Sequence, residues 1–534
     1  MSSQKKEFDV IVVGYGPTGL VLASLLGQLG HRVAVVERWP NLYGKPRLTH
    51  IDGETARLIS LCADGDHALR ESWTTPHYHW RNGKGQLLID VAAGNTKKML
   101  WDDHLSVHQP HIEEAIHERI GTLPNVRLFR GFLATAIEQD PKSVTLHCKP
   151  WTKEPHATAT DADNVTLVAR YLVGADGANS FVREATGIAR HDFGFNERWL
   201  CVDTEPLRPL PAQFDECAVQ ICDPRRGYMF MPIGKTRQRF EFALLPSETT
   251  EQMSTPDAAY ALLERYHGIA RDDVRLIRHL VYTFECRLAK TWKVKRVFLA
   301  GDAAHTNPPY LGQGACSGMR DGANLAWKFD RVLRGAADET LLDSYEEERK
   351  PHAQKLMLDS RSLGLVANTA NPVKAAVRDL LFKLKLTPKP QFPILSTGVL
   401  LRGGNGKPVG AAGAVPPQGR LGIGDKVMRF DEHVGFRFSL VARAGALDGL
   451  TPGSRRRLDA LGVRVVELGG SAALSGQQVQ DVDGVYGRYL KEIGADMVVI
   501  RPDFVQFGSA MATDVDALVS ALQAQLESAV DVPA

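Results

Sequence analysis

Three segments of this chain combine glycines with an acidic residue in patterns that could bind a dinucleotide. They are Gly14-Tyr-Gly16-Pro-Thr-Gly19, Gly174-Ala-Asp176-Gly177 and Gly301-Asp302. Glycines let backbone N–H groups approach a pyrophosphate closely, and an acid at a strand end can accept hydrogen bonds from sugar hydroxyls. The residue types therefore predict a site for a phosphorylated cofactor that contains a sugar.

The first segment lies between a predicted strand and a predicted helix, which is the position that a dinucleotide site requires. It follows the apolar run Phe8 to Val13, which predicts a strand, and it precedes an apolar helix. Gly14 permits the tight turn, Gly16 lets the pyrophosphate approach, and Gly19 allows the helix to pack closely on the strand. Glu37 closes the next predicted strand, at the spacing expected for an acid that binds a ribose.

The third segment predicts a receptor for a delocalised anion. Val297 to Ala300 forms an apolar run typical of a buried parallel strand, and Asp302 follows its end. Gly312 and Gly314 then lead into a helix predicted from about Ala315 to Arg334. The start of a helix carries unpaired N–H groups and a partial positive charge. Each segment alone is also compatible with an ordinary turn, but three in one chain favour a nucleotide site.

The elements between these segments predict an α/β fold. Alternating runs from Arg198 to Lys295 indicate an antiparallel sheet inserted between nucleotide-binding elements. A long helix is expected from Ser344, and further strands and helices after about residue 420 indicate a separate small α/β unit. Four arginines of the inserted sheet could line a pocket for an aromatic acid: Arg225, Arg226, Arg239 and Arg287.

Composition limits the classes of partner. A net charge of +2 over 534 residues gives no reason to expect nucleic acid or an acidic membrane surface. No apolar run is long enough to span a bilayer, and the first residues lack the apolar core of a signal peptide. Seven scattered cysteines without a Cys-x-x-Cys pair predict reduced thiols in a cytoplasmic protein, and no metal site.

In their order and separation, the three segments resemble the flavin-dependent aromatic hydroxylases, which are single-component FAD monooxygenases. Glu37-Arg-Trp-Pro, Tyr282-Thr-Phe and Leu311 to Asp321 look like the same family. The last part of the chain is similar to the thioredoxin-like tail of phenol hydroxylase relatives, although it has no cysteine. Asn307, Tyr310 and Ala315 depart from the residues that members acting on hydroxyphenyl acids are expected to have.

The resemblance implies a Rossmann-type FAD-binding domain with an inserted antiparallel β-sheet domain for the substrate and a thioredoxin-like C-terminal domain. The expected boundaries are 1–190 and 291–366 for the FAD-binding domain, 191–290 for the substrate domain, 367–420 for a linker and 421–534 for the C-terminal domain.

The resemblance also implies residue roles. Glu37 is expected to bind the adenosine ribose, Asp302 the ribityl chain, and the amides of Gly312 to Ala315 the pyrimidine edge. Arg47 could reach a phosphate or a ring edge, and Gln109 would lie near the flavin. The residues expected to bind FAD are Gly14, Gly16, Gly19, Glu37, Arg38, Arg47, Gln109, Asp176, Gly177, Gly301, Asp302, Gly312, Gln313, Gly314 and Ala315.

The implied reaction is hydroxylation of a phenolic ring, with a hydroxyphenyl acid as the expected substrate. NADH or NADPH would visit transiently and reduce FAD, and O2 would then give a flavin C4a-hydroperoxide that donates oxygen. Pro309 would border the flavin and the substrate. His50, His79 and Tyr310 are candidates for removing the phenolic proton.

Several alternatives stay open at this stage. A different phenol or a polyketide-type aromatic could be the substrate, and a homodimer is compatible with the sequence. A non-catalytic FAD-binding redox sensor would keep the same fold. A flavin disulfide reductase is disfavoured because Cys-x-x-Cys is missing, and a flavin-dependent halogenase because Trp-x-Trp is missing.

Overall fold

The computed structural model describes residues 6–90, 96–151, 164–386, 392–469 and 479–527. Its strands, within these ranges, form two sheets of eight strands, one of seven and one of three. The fold is mixed α/β, as the sequence predicts. None of the helices in the described ranges has the length and apolar character needed to cross a membrane. All seven cysteines are buried, and none is in a disulfide.

The first sheet has a parallel core. Lys6–Val13 lies between Val165–Gly174 and Val33–Glu37, and both pairs run parallel. The positions from Val10 to Val13 are buried, so both faces of this strand are covered, and this explains the continuous apolar run. The other strands of the sheet are Lys293–Val294, Val297–Leu299, Val126–Arg130, Phe132–Gln139 and Val144–Pro150.

The second sheet is largely antiparallel. It contains Arg190–Pro206 and Val274–Ala289, which pair along most of their lengths. Three of its strands, Tyr78–Asn82, Leu87–Asp90 and His305–Thr306, come from outside the predicted 191–290 segment, so this sheet is assembled from three parts of the chain. The remaining strands are Arg237–Ala243, Tyr228–Ile233 and Ala218–Cys222.

The third sheet belongs to the C-terminal part of the chain. Its central strands Arg464–Leu468 and Ser439–Arg443 are parallel, and Met497–Ile500 pairs antiparallel with the second of them. The outer strands are Lys426–Arg429, Arg420–Ile423, Val479–Asp481 and Gln506–Ala510. The small three-stranded sheet consists of His50–Ile51, Leu105–Ser106 and Trp73–Thr74.

The helices pack on the sheets, and several of them begin at residues that favour a helix start. Pro17–Gln28 begins with proline directly after Gly16, where a missing N–H costs nothing. Gly314–Leu333 starts close to the predicted Ala315. The α-helices in the described ranges are Pro17–Gln28, Gly53–Cys62, Gly65–Ala68, Gln109–Gly121, Phe181–Ala185, Gln213–Glu216, Thr250–Met253, Pro256–His267, Gly314–Leu333, Ser344–Ala367, Pro372–Lys383, Phe430–Val434, Pro452–Ala460, Val485–Glu492 and Val515–Glu527.

The segment predicted as a linker contains a helix. Pro372–Lys383 is capped by the Asn371 side chain, which accepts hydrogen bonds from the N–H groups of Val373 and Lys374. The prolines and glycines that suggested a linker lie mostly after this helix. Its outer face carries exposed apolar side chains, namely Val373, Val377, Leu380, Leu381 and Leu384.

A buried ionic network joins the C-terminal sheet to the first domain. The Arg501 guanidinium donates to both Glu348 oxygens at 3.0 and 2.7 Å and to Asp503 at 3.0 and 2.6 Å. The Lys328 ammonium donates to Glu348 at 2.9 Å. Burial alone would raise the pKa of Glu348, but Arg501 and Lys328 lower it to about 2. The two positive and two negative groups neutralise each other, so the network fixes one orientation of the two parts.

Replacing Arg501 tests this junction. Arg501→Leu leaves Glu348 and Asp503 buried without their main donor, so we expect the free energy of unfolding in urea to fall by about 3 to 5 kcal/mol. Arg488→Leu, on the exposed side of a C-terminal helix, is the matched control and should change it little. A loss of less than about 1 kcal/mol in Arg501→Leu would mean that the junction is held by apolar packing instead.

Candidate functional site

The three glycine-and-acid segments begin next to one another in space. Val13, Gly174 and Leu299 are register neighbours on adjacent parallel strands. The carboxyl ends of these strands therefore open on the same edge of the sheet, which is where open α/β sheets bind ligands.

Close backbone contacts, which leave no room for a side chain, hold the first two segments together. Gly14 has φ +106°, and a Cβ there would lie 2.3 Å from the Ala175 carbonyl oxygen. A Cβ on Gly19 would lie 2.1 Å from the Gly14 carbonyl oxygen. Around Gly16, in contrast, nothing would lie within 4 Å of a Cβ, because this residue faces the open cavity. Gly19 thus serves helix packing, and Gly16 leaves room for a ligand.

Thr18, in the first segment, packs against the third segment. A Cβ on Gly301 or on Gly318 would lie 2.5 or 2.3 Å from the Thr18 hydroxyl oxygen. The start of Pro17–Gln28 is therefore wedged between the Gly301 turn and the helix Gly314–Leu333. Gly19 and Gly301 do not line the cavity themselves, since they shape the backbone behind it.

A cavity of about 1890 Å³ lies beyond these strand ends. Drug-sized ligands occupy pockets of about 300 to 1,000 Å³, so this one has room for a dinucleotide together with a small aromatic molecule. One wall carries the glycine segments and the start of Gly314–Leu333, and the opposite wall is one face of the second sheet. Residues 503–505 of the C-terminal part complete the lining.

Glu37 and Asp176 are held by hydrogen bonds at this edge. The two Glu37 carboxylate oxygens accept from the N–H groups of Tyr15 and Trp39, each at 2.9 Å. Asp176 accepts from the Ser180 hydroxyl at 2.5 Å and from the Val182 N–H at 3.0 Å. Both acids line the cavity, as Gly177 does. Each carboxylate oxygen has a second lone pair with which it can still accept from a ligand.

Asp302 also lies on the cavity wall. Asp302 itself is exposed at this wall, whereas its neighbours Gly301 and Ala303 are buried. Burial raises the pKa of Asp302, and the nearby His305 and Arg47 oppose that shift. A carboxylate in this setting is stabilised by hydroxyl donors from a ligand.

Gln109 positions the loop that carries Arg47. Its side-chain oxygen accepts from the N–H groups of Arg47 and Leu48 at 3.0 and 2.6 Å, and its amide nitrogen donates to Glu113 at 2.6 Å. The Arg47 guanidinium stacks 3.8 Å from the centre of the Tyr43 ring. Arg47 and Gln109 both line the cavity, and Arg38 does so above the Trp39 ring.

The turn before the long helix packs on His50. Gly312 has φ +63°, and a Cβ there would lie 2.8 Å from the His50 Nδ1 atom. The His50 Nε2 atom lies 3.2 Å from the His104 Nδ1 atom. Burial, together with His104, lowers the pKa of His50 to about 4, so its ring is neutral at pH 7.

Pro309 and Tyr310 line the cavity next to this turn. The Tyr310 hydroxyl donates to Glu197 at 2.7 Å and also contacts the Asn368 side chain. Burial, with Glu197 nearby, raises the pKa of Tyr310 far above its ordinary value. Tyr310 therefore keeps its proton, and its geometry does not suit a general base.

An ion pair between Asp52 and Arg320 supports the helix start, and the sequence analysis missed it. Arg320 donates to Asp52 at 2.6 Å and to the side-chain oxygen of Gln313 at 3.0 Å. Gln313 in turn donates to Asp52 at 3.0 Å. Burial would raise the pKa of Asp52, but Arg320 holds it well below its usual range. Gly314 and Ala315 follow directly and line the cavity.

Other predicted residues lie elsewhere. Tyr78 and Trp80 line the cavity, but His79 between them does not, and it lies beside Asp90 and Arg81. The structure therefore does not bring His79 to the site. Of the four arginines predicted for a pocket, Arg239 lines the cavity. The other three pair outside it, Arg225 with Asp223, Arg226 with Glu248 and Arg287 with Asp192.

Two groups of side chains outside this set could hold a metal ion, although the sequence analysis named no ligands there. Within the described ranges they are Glu71 with His108 and His111, and His77 with His79 and Asp90. Arg237 already donates to Glu71 at 3.2 Å, and this cation disfavours a second one.

FAD fits the observed arrangement. The open space at Gly16 suits a pyrophosphate, and the N–H groups at the start of Gly314–Leu333 suit a ring with negative charge. The carboxylates of Glu37 and Asp302 can accept hydrogen bonds from hydroxyl groups. The volume leaves space beside such a ligand.

The chain matches known families over most of its length. Residues 7–360 match the family model described as the FAD binding domain, and residues 413–525 match the model described as the HcaD C-terminal domain.

Two relatives align with nearly the whole chain. One, from Rhodococcus jostii (strain RHA1), is named as a probable NADH-specific resorcinol 4-hydroxylase and is 33% identical over 95% of this chain and 92% of its own length. The other is a 3-(3-hydroxy-phenyl)propionate/3-hydroxycinnamic acid hydroxylase from Klebsiella pneumoniae, 32% identical over 94% of this chain and 92% of its own length.

A solved structure shares the fold. Aklavinone-11 hydroxylase, in a ternary complex with FAD and aklavinone, superimposes with a TM-score of 0.76 over 98% of this chain and 99% of its own. It is 22% identical in sequence, so the likeness concerns the fold.

The buried neutral state of His50 predicts a change in the pH dependence of stability. Between about pH 6.5 and pH 4 the unfolded chain binds a proton at His50 that the folded protein does not, so stability falls as the pH falls through this window. His50→Gln should make the slope of unfolding free energy against pH shallower by about 1.4 kcal/mol per pH unit. Urea titrations of the FAD-saturated protein at several pH values measure it.

His191→Gln, at an exposed position, is the control for that measurement and should leave the slope as in the wild type. An unchanged slope in His50→Gln would show that His50 titrates in the folded protein as it does in the unfolded chain.

Proposed function

Because this chain belongs to the FAD-binding family of flavin-dependent aromatic hydroxylases, we propose that it hydroxylates a small phenolic ring with NADH and O2. The observation that carries the proposal is the large cavity between the glycine segments and the face of the second sheet. Such a cavity brings a cofactor ring and an aromatic substrate into contact away from water.

We assign the cofactor to the glycine side of the cavity. Gly14 and Gly16 would face the pyrophosphate, and Asp176 and Gly177 would lie beside it. Glu37 would bind the adenosine ribose, with Arg38 next to it. Asp302 would accept from the ribityl chain, and the amides from Gly312 through Ala315 would face the pyrimidine edge. Arg47, held by Gln109, would lie near the ring.

When bound, FAD supplies the transfer of electrons from NADH and the activation of O2. The chain supplies the setting for that chemistry. The start of Gly314–Leu333 stabilises negative charge on a ring placed against it. Pro309 and Tyr310 form an apolar border that excludes water, and the Asp52–Arg320 pair keeps the Gln313 turn in place.

The phenolic proton needs an acceptor, and the His50–His104 pair is the candidate we retain. Its two facing nitrogens lie 3.2 Å apart and both residues line the cavity, so the pair can relay a proton. Tyr310 is less suited because Glu197 accepts its proton in a hydrogen bond. His79 does not line the cavity.

We also propose a fold for the C-terminal part, a cellular compartment and an assembly. The C-terminal part would be thioredoxin-like in fold but without redox activity, since it contains no cysteine. Seven free thiols favour the cytoplasm, and a homodimer stays a proposal for the assembly.

The function is tested with purified protein reconstituted with FAD. Phenols should accelerate NADH oxidation, and mass spectrometry should find a product one oxygen heavier, with little hydrogen peroxide. Bound FAD without any phenol-dependent NADH oxidation would favour the redox-sensor alternative.

The assigned ribityl contact predicts the effect of removing Asp302. Asp302→Ala should weaken FAD binding by about tenfold, because it removes a charged acceptor for hydroxyl groups. Quenching of flavin fluorescence on titration measures the dissociation constant. Asp425→Ala, in an exposed turn, is the control. An unchanged affinity in Asp302→Ala would remove the proposed contact.

The ribose role of Glu37 predicts a second loss. Glu37→Gln should weaken FAD binding by roughly 1.5 to 3 kcal/mol, the value of a charge-assisted hydrogen bond. Equilibrium dialysis with FAD measures it, and Glu492→Gln on the surface serves as the control. Less than about a tenfold loss would count against the ribose contact.

A further inference from the structure

The helix Pro372–Lys383 has a buried inner face and an exposed apolar outer face. The inner face contains Ala375, Arg378 and Phe382, which are buried. On the other face an apolar residue recurs every three or four positions, so these side chains form one line along the helix. We call this line the outer stripe. Its exposed fractions run from 41% to 70%, and its members are Val373, Val377, Leu380, Leu381 and Leu384.

Exposed apolar side chains are concentrated at this helix. Of the seventeen large apolar side chains that are exposed in the described ranges, six fall between residues 373 and 386, namely the outer stripe and Leu386. Single exposed apolar residues are normal on a protein surface, whereas a contiguous group indicates a binding surface. The outer stripe therefore has the character of a binding surface.

Hydrogen bonds fix the orientation of this helix on the second sheet. The Arg378 guanidinium donates to the carbonyl oxygens of Cys222 and Ala367 at 2.8 and 3.0 Å. The Asn82 side chain donates to Asp379 at 3.0 Å. The helix cannot turn the outer stripe inward without breaking these hydrogen bonds, so the stripe stays on the surface.

Basic residues border the outer stripe. Lys374 and Lys383 lie along its two edges by helical spacing, and Lys385 follows the end of the helix. All three are exposed. The one acid of the helix, Asp379, pairs with the buried Arg378 at 2.8 Å. The surface around the stripe is therefore positively charged.

An anionic lipid surface complements both properties of the outer stripe. Helices that lie in the interface of a membrane bury a line of apolar side chains at the acyl boundary, while flanking lysines contact the lipid phosphates. Each lysine near an anionic surface contributes about 1 kcal/mol. With 12 residues the helix is too short to span a bilayer, so it would lie along the surface.

The net charge of the whole chain does not show this surface. A value of +2 over 534 residues gave no reason to expect an acidic membrane, because acids elsewhere in the chain offset the lysines beside the stripe. Attraction to a membrane acts within a Debye length, which is about 8 Å at physiological salt. The local charge therefore decides the interaction.

A second copy of this chain fits the outer stripe less well. In a twofold dimer the same surface meets itself, so the lysines of one copy would face the lysines of the other. Like charges brought together in this way repel each other. The cores of protein interfaces are also depleted of charged residues such as lysine. The charge therefore favours an anionic partner over a second copy.

We propose that the outer stripe, with Lys374, Lys383 and Lys385, docks the protein reversibly on an anionic lipid surface. Phe382, on the inner face of the same helix, lines the cavity, and its ring centre lies 6.2 Å from that of Trp80. Docking therefore places the lipid surface about 10 Å, one helix diameter, from the cavity lining. The inference goes beyond the proposed hydroxylase function and does not depend on it.

The first test is flotation of the FAD-loaded wild-type protein with lipid vesicles. We expect vesicles of equal parts phosphatidylglycerol and phosphatidylcholine to bind it at least about tenfold more tightly than vesicles of phosphatidylcholine alone, because three lysines contact the anionic surface. Added salt should weaken this binding, since it screens exposed charges. Equal binding to both kinds of vesicle, or binding to neither, would overturn the inference.

Two double variants separate the apolar from the charged contribution. Leu380→Asp with Leu384→Asp should lower the affinity for the anionic vesicles by about tenfold or more, because it removes apolar contact and adds negative charge. Lys374→Gln with Lys383→Gln should lower it by about tenfold through lost attraction alone. Leu207→Asp, at another exposed leucine outside the stripe, is the matched control and should bind as the wild type does. Unchanged binding in the leucine variant would contradict the inference.

Sedimentation velocity without lipid tests the alternative of a second copy. We expect the wild type and the leucine variant to have the same mass in solution. If the wild type is a dimer that the leucine variant dissociates, the outer stripe is a contact between copies and the inference is wrong.

FAD content and melting temperature check that each variant is folded. If the leucine variant does not fold, the lysine variant and the comparison of the two kinds of vesicle still decide the question. Flotation uses neither NADH nor a phenol, so its failure would refute this inference alone. Absence of NADH oxidation with every phenol would refute the hydroxylase proposal alone.

Discussion

The arrangement of the site depends on backbone contacts so close that they leave no space for a side chain. Gly14 touches the Ala175 carbonyl, Gly19 touches Gly14, and Thr18 fills the space that a Cβ on Gly301 or Gly318 would need. These contacts bring three strand ends, widely separated along the chain, into one edge of a sheet. Because the backbones are in contact, the carboxylates of Glu37, Asp176 and Asp302 line the same cavity. A glycine-rich sequence is usually associated with flexibility, but here it produces close packing.

The parts that could be predicted from the sequence are those with local signals. The apolar strand, the glycine turn and the following helix at residues 8–29 have such signals, and the structure has these elements. The start of the helix at Gly314 was predicted to within one residue. Pairing across long distances has no local signal. The Asp52–Arg320 ion pair joins residues 268 positions apart, and neither residue looks unusual in the sequence. The recruitment of residues 78–90 into the second sheet was missed for the same reason.

The direction in which each strand residue points was the other feature that could not be predicted from the sequence. His79 was a reasonable candidate for proton transfer by residue type, but Tyr78 and Trp80 line the cavity instead. The residues of a strand alternate between faces, so the identity of the cavity face follows only from the register with neighbouring strands. The same alternation places Glu241 and Arg239 on the cavity side, where an acid and an arginine two positions apart compensate each other. Arg225, Arg226 and Arg287 are paired with acids outside the cavity, the more common situation of an arginine in a sheet.

The last wall of the cavity has a consequence for how the protein is made. Residues 503–505 line the space that the glycine segments open, and Arg501 anchors them to Glu348, which also pairs with Lys328. A ribosome must therefore synthesise almost the entire polypeptide before the pocket can close. A translation product that ends before residue 503 therefore lacks this part of the cavity lining.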